Sequence, residues 1–225
     1  MNTLVQMNKY PDEGWINQLY EETERLWEKH KNTSGYAIFY SPVFINPKIV
    51  IIGYNPGGDK QSFSADNHSR RPDEHEYLKK EYLLAKRMYH IFQFAGLTDE
   101  LSQTVKFNLN FFRSKKAADI ANEKELRDFS EQQALKIIAR LRPDMIITEG
   151  LATFDRLMFL CSGQIDNPVV FNKRTIVRLG TFDKFRVLGL LHPSGGRGIS
   201  NAILEKMGET IGISYAEILA TTPSL

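Results

Sequence analysis

The sequence predicts an α/β fold with three layers, α/β/α, in which helices cover both faces of a central, mainly parallel, four-stranded sheet. Apolar, strand-like runs alternate along the chain with amphipathic segments of helical period, the pattern of parallel strands joined by crossover helices. The clearest run, IVIIG at residues 49–53, is short, β-branched and without polar positions, as in a strand buried on both faces. A glycine-rich turn, YNPGG at residues 54–58, follows it directly and ends the strand.

Length and composition fit one soluble domain. The chain has 225 residues, of which 42% are hydrophobic and 25% charged, values that are ordinary for globular proteins. We expect a single domain over residues 1–225, with an N-terminal helix at 12–30 packed on an α/β core at 48–206. No apolar run approaches the roughly 18 residues of a membrane span, and the N-terminus lacks the pattern of a secretion signal. The expected protein is therefore a cytoplasmic monomer that does not bind membranes.

Cysteine content and charge limit the kinds of site that the chain can form. The single cysteine, Cys161, excludes an intrachain disulfide and any metal or iron–sulfur site built only from cysteines. We expect neither a metal nor a cofactor. The formal net charge is +2, but residues 171–206 carry seven basic and two acidic residues. This asymmetry is compatible with a surface that faces phosphates.

The first part of the chain predicts a helix, a strand, a polar loop and a second helix. Residues 12–30 repeat aromatic and aliphatic residues near a period of 3.6, which predicts an amphipathic helix. Residues 36–44 are apolar but contain a proline, so we interpret them as a lead-in to the first strand. Residues 59–73 are polar and form a long loop that is either functional or merely mobile. Residues 74–94 predict a long helix, which a glycine ends.

The rest of the chain supplies the remaining strands and helices of the predicted layers. The predicted strands are 105–112, 145–148, 175–179 and 186–191. Three helices are predicted. The first covers residues 123–140, the second follows the turn at Glu149 and Gly150 and runs through Leu160, and the last begins at Ser200 or Asn201.

Polar side chains lie at or after the ends of three of the predicted strands. Asn55 follows the first, Asn108 and Asn110 lie in the second, and His192 follows the last. Because the carboxyl ends of parallel strands meet at one edge of a sheet, where open α/β folds bind ligands, these residues predict a shared pocket. Taken one at a time, each has an ordinary structural alternative, since Asn tolerates tight turns and can bond its own backbone.

The order of these segments resembles the uracil-DNA glycosylase superfamily over residues 48–206. The matching segments are Gly-Tyr-Asn-Pro-Gly at 53–57, a strand with Asn108 and an Arg five residues later, a helix–Pro–strand–Gly segment at 137–150, and His-Pro-Ser at 192–194. An Asn in the first motif with a His in the last is similar to the single-strand-selective monofunctional branch, and the mismatch-specific branch shares the Asn-Pro-Gly. The resemblance implies a uracil-DNA glycosylase-like fold and a role in base excision repair. The implied enzyme is a monofunctional DNA glycosylase that hydrolyses the N-glycosidic bond of uracil or of a related deaminated or 5-modified base.

Three side chains would carry this chemistry. Asn55 suits the positioning of water below the anomeric carbon through its amide oxygen, although a neutral amide is no general base, so slow chemistry is expected. His192 suits the donation of a ring N–H to a carbonyl oxygen of the departing base. Asn108 would read the base, because an amide offers an acceptor and a donor that complement uracil. Asn110 is the alternative reader, or a support for Asn108, because it would point to the same face of the strand.

The remaining pocket residues follow from the resemblance. Gly53, Tyr54 and Gly57 belong to the first motif and would line the base pocket. Gly57 stands where the classical branch has a Tyr that blocks 5-substituted bases, which implies room for such bases. An aromatic residue would stack on the extracted base, and the candidates are Phe63 and His68, with Phe63 slightly favoured.

The loop after the last strand is the predicted contact with DNA. Ser194 and the backbone amides of Gly195 and Gly196 could hold a phosphate, and Arg197 could bind another phosphate or fill the gap left by the base. Arg113 would also contact DNA. The classical branch has an apolar wedge just after its His-Pro-Ser, and this chain does not. We therefore expect the DNA partner to be single-stranded or a mismatched duplex.

Two other functions are compatible with the predicted fold. One is a non-catalytic protein that binds nucleic acid or a nucleobase on the same fold, because fold alone does not determine function. The other is an unrelated nucleotide-binding α/β enzyme. It is disfavoured because neither a Gly-x-Gly-x-x-Gly turn nor a phosphate-loop Lys follows the first strand.

Overall fold

A computed structural model describes residues 14–30, 34–57, 72–114, 123–195 and 198–221. The helices within these ranges are α1 (Gly14–Lys29), α2 (Glu76–Lys79), α3 (Leu83–Phe94), α4 (Thr98–Leu101), α5 (Lys124–Leu141), α6 (Leu151–Cys161) and α7 (Asn201–Thr221). The strands are β1 (Ile49–Gly53), β2 (Val105–Asn108), β3 (Met145–Glu149), β4 (Gln164–Ile165), β5 (Val169–Phe171), β6 (Arg174–Phe182) and β7 (Phe185–Leu190). None of these helices is long and apolar enough to cross a membrane.

The sheet is mixed and has seven strands in the described part of the chain. Its order is β2-β1-β3-β7-β6-β4, and β5 pairs with β6 beside β4. The pairs among β2, β1, β3 and β7 are parallel, whereas β6 is antiparallel to β7, β4 and β5. The α/β class is therefore confirmed, but the prediction of a mainly parallel sheet of four strands is not. The predicted strand at 175–179 lies within β6, but the sequence pattern did not reveal that β6 runs antiparallel to β7, and the exposed two-residue strand β4 carries no run of apolar residues.

Both faces of the parallel strands are covered by helices, and alternate residues supply the two cores. Val50 and Ile52 of β1 face one core, which α1, α5 and α6 complete. Ile49 and Ile51 face the other core, which α2, α3, α4 and α7 complete. All five residues of β1 are buried, as expected for a parallel strand between two helical layers.

Several predicted boundaries shift in the structure. The predicted helix at 74–94 is two helices, α2 and α3, because Lys80 adopts a left-handed conformation with φ of 53°. The predicted second strand at 105–112 ends at Asn108, the last residue that pairs with β1. Residues 109 and 110 instead bond the chain that leaves β1, through Leu109 N to Gly53 O and Asn110 N to Tyr54 O. The chain after β2 therefore stays beside the turn after β1.

Candidate functional site

A cavity of about 1370 Å³ opens at the carboxyl edge of the four parallel strands. The segments that follow β1, β3 and β7 line it, together with Lys106 and Asn108 of β2, the start of α3 and one side of α6. Asn55, Asn108 and His192 all line this cavity, so the expected meeting of the strand ends is confirmed. Gly53, Tyr54, Gly57 and Ser194 line it as well.

Asn55 is half-buried, and its amide nitrogen is fixed by two contacts. Nδ2 donates to the carbonyl of Pro56 at 3.1 Å and to the hydroxyl of Ser114 at 2.9 Å. Ser114 is itself buried beside the exit of β2. These two bonds determine which way the amide points, and they leave Oδ1 as the atom that can accept a hydrogen bond from a ligand or water.

Asn108 is buried and is held between Gly53 and Tyr40. A Cβ on Gly53 would lie 2.0 Å from Asn108 Oδ1, so the amide oxygen occupies the space that the missing side chain leaves. The amide of Asn108 is hydrogen-bonded to the hydroxyl of Tyr40. Burial, followed by the nearby carboxylate of Glu76, raises the pKa of Tyr40 well above its usual value, so the phenol stays neutral. The Asn108 side chain is thus held between its neighbours.

Asn110, the alternative reader, does not line the cavity. It is fully buried, and its Nδ2 donates to the Tyr54 carbonyl at 3.2 Å. The expected alternation of Asn108 and Asn110 on one face fails because β2 ends at Asn108. Asn110 instead fixes the backbone of the turn after β1, and its Oδ1 is buried with no hydrogen-bond partner in the structure.

His192 is exposed at the rim of the cavity, and the turn after β7 sets the position of its ring. Its Nδ1 lies 3.1 Å from the hydroxyl of Ser194. The amide of Gly195 donates to the His192 carbonyl at 2.8 Å, and Arg87 Nη1 donates to the Pro193 carbonyl at 2.6 Å. When Ser194 donates to Nδ1, the neutral imidazole carries its proton on Nε2, which is then free to donate.

A buried cluster of charged and phenolic groups forms another wall of the cavity. Lys106 of β2 places its Nζ 2.8 Å from Glu76 Oε1 and 3.5 Å from Glu149 Oε2. The same ammonium lies over the rings of Tyr40 and Tyr77, at 4.5 and 5.0 Å from their centroids. Tyr77 donates its hydroxyl to Glu149 Oε1. Lys106, Glu149 and Tyr77 are buried, whereas the side chain of Glu76 is 23% exposed.

The electrostatics of this cluster keep Lys106 charged and Tyr77 neutral. Burial lowers the pKa of Lys106, but the attraction of Glu149 and Glu76 exceeds that effect, so the pKa is raised above its usual value. Burial, and then the repulsion of a phenolate by Glu149, raise the pKa of Tyr77 well above its usual value. The tyrosine therefore remains a hydrogen-bond donor at neutral pH.

Sequence reasoning missed this cluster. Glu149 stands at the carboxyl end of β3, and a position at a strand end is what identified Asn55 and His192 as candidates. The sequence pattern nevertheless indicates only a turn at Glu149 and Gly150. Lys106 is a charged residue within an otherwise apolar strand, which is a signal for a buried ion pair. Glu76 and Tyr77 carried no such signal, because the proximity of α2 to β2 is a tertiary contact.

Some of the other predicted site residues lie within the described ranges, and some do not. Gly57 lines the cavity, and a Cβ there would meet no atom of the described residues within 4 Å. Arg113 donates through Nε to the Gly57 carbonyl at 3.2 Å. The Gly195 amide, a predicted phosphate donor, is instead bonded to His192, because the His-Pro-Ser-Gly segment forms a tight turn. The further predictions for Phe63, His68, Gly196 and Arg197 concern residues outside the described ranges.

The fold defines an α/β protein with a cavity, lined in part by polar side chains, at the carboxyl edge of its parallel strands. No family model matches the chain, and the comparison with curated proteins finds no match. The geometry of the site therefore carries the functional argument.

Proposed function

We propose that the chain is a monofunctional DNA glycosylase of the uracil-DNA glycosylase type, which hydrolyses the N-glycosidic bond of uracil or of a related deaminated or 5-modified base. The observation that carries the proposal is that Asn55, Asn108 and His192, three residues from separate strand ends, line a single cavity. Such a cavity could hold one extruded nucleotide. The attacking water would lie near Asn55, the edge of the base near Asn108, and a carbonyl oxygen of the departing base near His192.

The first step of the proposed reaction is the positioning of water by Asn55. Its Nδ2 is occupied by Pro56 and Ser114, so Oδ1 accepts a hydrogen bond from the water that attacks the anomeric carbon. The bond from this carbon to the base breaks with oxocarbenium character in the sugar, and the bonding electrons leave with the base. The proton of the water passes to solvent, because an amide cannot accept it. The rate is therefore expected to be low compared with a relative that carries an Asp at this position.

His192 assists the departure of the base. When Ser194 donates to Nδ1, which lies 3.1 Å from its hydroxyl, Nε2 donates to a carbonyl oxygen of the base, where negative charge develops as the glycosidic bond breaks. A hydrogen bond that strengthens as charge develops stabilises the transition state more than the bound substrate. A neutral imidazole is sufficient for this role.

Asn108 supplies the recognition of the base. An amide that could rotate freely would fit both uracil and cytosine, because exchange of its oxygen and nitrogen reverses the pattern of donor and acceptor. The bond to Tyr40 and the close fit against Gly53 hold the side chain, and the proposal is that its oxygen and nitrogen keep the assignment that fits uracil. Open space at Gly57 supports the acceptance of 5-substituted bases.

The DNA partner is proposed to be single-stranded or weakly paired. Phe63 or His68 would stack on the base, and Ser194, Gly196, Arg197 and Arg113 would contact the strand, as the sequence predicts. We also propose that the protein acts as a cytoplasmic monomer that needs no cofactor.

The proposal is tested by excision from labelled oligonucleotides, single-stranded and duplex, that carry one uracil, hypoxanthine, xanthine or 5-hydroxymethyluracil. The parent should form an abasic product from at least one of them. Asn55→Ala and His192→Ala should each reduce the single-turnover rate tenfold or more, which corresponds to about 1.4 kcal/mol of barrier. Both side chains lie at the cavity, so the melting temperatures of the two variants should stay close to that of the parent. Equal rates in parent and variants would contradict the assigned roles.

A non-catalytic role in binding nucleic acid or a nucleobase is the second candidate. The observation that favours it is the amide at Asn55, which can orient water but cannot remove its proton. Binding of the oligonucleotides without any abasic product would support this candidate over the enzyme.

A further inference from the structure

One side of α6 forms a wall of the cavity that the proposed reaction does not use. The lining residues on this helix include Ala152, Asp155, Arg156 and Phe159. Their spacing of three and four residues places them on one face of α6, which begins beside the strand ends. Because a helix rises about 1.5 Å per residue, Phe159 lies about 10 Å along the axis from Ala152. The cavity therefore continues from the strand ends as a groove along α6.

The cavity is also larger than a site for one small molecule. Its volume is about 1370 Å³. Pockets that hold one small molecule have volumes of about 300 to 1000 Å³. The groove along α6 therefore leaves room for a second group beside the extruded nucleotide.

Phe159 offers an aromatic surface in this groove. It is 73% exposed, more than any other large apolar residue in the described ranges. The guanidinium carbon of Arg156, one turn earlier, lies 5.4 Å from the centroid of its ring, within the range of a cation–π contact. Exposed aromatic rings of this kind are the surfaces on which proteins stack the bases of single-stranded nucleic acids.

Arg156 supplies a fixed positive charge beside the ring. Its Nε and Nη2 donate to the two carboxylate oxygens of Glu131, both at 2.7 Å. The side chain of Glu131 is 4% exposed and that of Arg156 30%, so a ligand in the groove meets the cation rather than the carboxylate. Nη1 has no hydrogen-bond partner among the described residues and can donate to an anion. The acidic neighbour Asp155 is itself paired with Arg178.

We propose that Phe159 and Arg156 form a second subsite, which binds a nucleotide of single-stranded DNA next to the extruded one. The base stacks on the Phe159 ring, and the phosphate accepts a hydrogen bond from Arg156 Nη1. This subsite rests on the proposed function and names the part of the DNA strand that the same cavity holds. A base that stacks on a side chain must be free of its own partner strand, so the subsite favours single strands over duplexes.

Fluorescence anisotropy of a labelled single-stranded oligonucleotide tests the stacking contact. The oligonucleotide carries one 2′-fluorodeoxyuridine, whose fluorine disfavours the oxocarbenium-like sugar and so slows cleavage during the titration. Phe159→Ala should weaken binding about tenfold, whereas Phe159→Trp, which keeps a stacking surface, should bind like the parent. Ile165→Ala removes a comparably exposed apolar side chain outside the cavity and should keep the parental affinity. Equal affinities of Phe159→Ala and the parent would overturn the inference.

Changes in the DNA test the subsite with an unmodified protein. The base on one side or the other of the 2′-fluorodeoxyuridine is replaced by an abasic residue. One of the two abasic oligonucleotides should bind the parent about tenfold more weakly, and Phe159→Ala should add no further loss to that oligonucleotide. A neutral methylphosphonate at the adjoining linkage should make the slope of log affinity against log salt concentration shallower by about 0.7. Full affinity for both abasic oligonucleotides would overturn the inference.

The outcomes separate this inference from the proposed function. Excision of uracil by the parent, together with parental binding by Phe159→Ala, would leave the glycosylase standing and overturn the subsite. Binding that depends on Phe159, without any excision, would support the subsite and refute catalysis. Neither binding nor excision would overturn both.

Discussion

At the scale of single residues, the position of Asn108, which is proposed to read the base, depends on a glycine. Gly53 ends β1 at the point where Asn108 Oδ1 enters the space that a Cβ would fill, at 2.0 Å. Asn108 meets this position with the end of its side chain, which can rotate away, whereas the sheet backbone cannot. A methyl group at residue 53 is therefore expected to displace the Asn108 side chain while it lowers the free energy of unfolding only moderately.

Gly53→Ala is expected to displace Asn108 and reduce excision of the preferred base at least tenfold, while the protein stays folded. Overpacking of this kind lowers the free energy of unfolding by about 1 to 3 kcal/mol. Excision assays and urea unfolding measure the two effects. Gly57→Ala is the control for stability, because a Cβ there meets nothing, and its free energy of unfolding should change by less than about 0.5 kcal/mol. Parental excision rates in Gly53→Ala would show that Asn108 does not read the base.

At the scale of elements, close contact between α3 and α7 holds one helical layer on the sheet. A Cβ on Gly208 of α7 would lie 2.5 Å from the Cβ of Phe94, 2.6 Å from the carbonyl oxygen of Ile91 and 3.0 Å from the amide of Ala95. Two of these atoms are backbone and the third is rigidly attached to it, so none can move without shifting α3. That helix also carries Arg87, which holds the loop after β7 through the Pro193 carbonyl.

Gly208→Ala has two opposing effects on the free energy of unfolding, one from helix propensity and one from packing. Alanine favours an isolated helix over glycine by about 1 kcal/mol, whereas forcing the two helices apart costs about 1 to 3 kcal/mol. Because the opposing atoms belong to the backbone, we expect packing to dominate and the free energy of unfolding to fall. Denaturant unfolding measures this change, and Ile213→Ala, at an exposed position of the same helix, should have little effect. A stabilised Gly208→Ala protein would mean that the two helices can separate at no cost.

At the scale of the whole molecule, buried ionisable groups make folding depend on pH. His75 is buried at the start of α2, where its Nδ1 accepts the amide of Tyr77. Burial, and then the positive charge of Lys106, lower the pKa of His75 from 6.5 to about 3. Between these values the unfolded chain binds a proton that the folded protein does not bind. The stabilising contribution is therefore complete above pH 6.5 and is lost as the pH falls toward 3.

The free energy of unfolding should fall as the pH is lowered from 6.5 to 5, with a limiting contribution from His75 of about 1.4 kcal/mol per pH unit. His75→Asn keeps a side-chain acceptor for the cap of α2 and removes the titration, so it should flatten this dependence. Urea unfolding at a series of pH values measures the slopes. His90→Asn changes an exposed histidine and should keep the slope of the parent. An unchanged slope in His75→Asn would show that another group controls this range.

The sequence determined the features that depend on local pattern. The alternation of buried strands and amphipathic helices predicted the α/β class, because hydrophobic periodicity is a property of each segment by itself. The positions of Asn55, Asn108 and His192 at strand ends predicted that they would meet, because all parallel strands end at the same edge. Their proposed roles follow from the resemblance and await the excision assays.

Only the tertiary structure decided what depends on contacts between distant segments. The antiparallel direction of β6, and its pairing with the short strands β4 and β5, extend the sheet in a way that the predicted strand at 175–179 did not reveal. The end of β2 at Asn108, and the bonds of Asn110 to the turn after β1, separate two asparagines between which the sequence preferred Asn108 only by its spacing to Arg113. The pairing of Lys106 with Glu76 and Glu149 joins α2, β2 and β3. Burial and pairing determine the chemistry of such groups, and both exist only when these segments pack together.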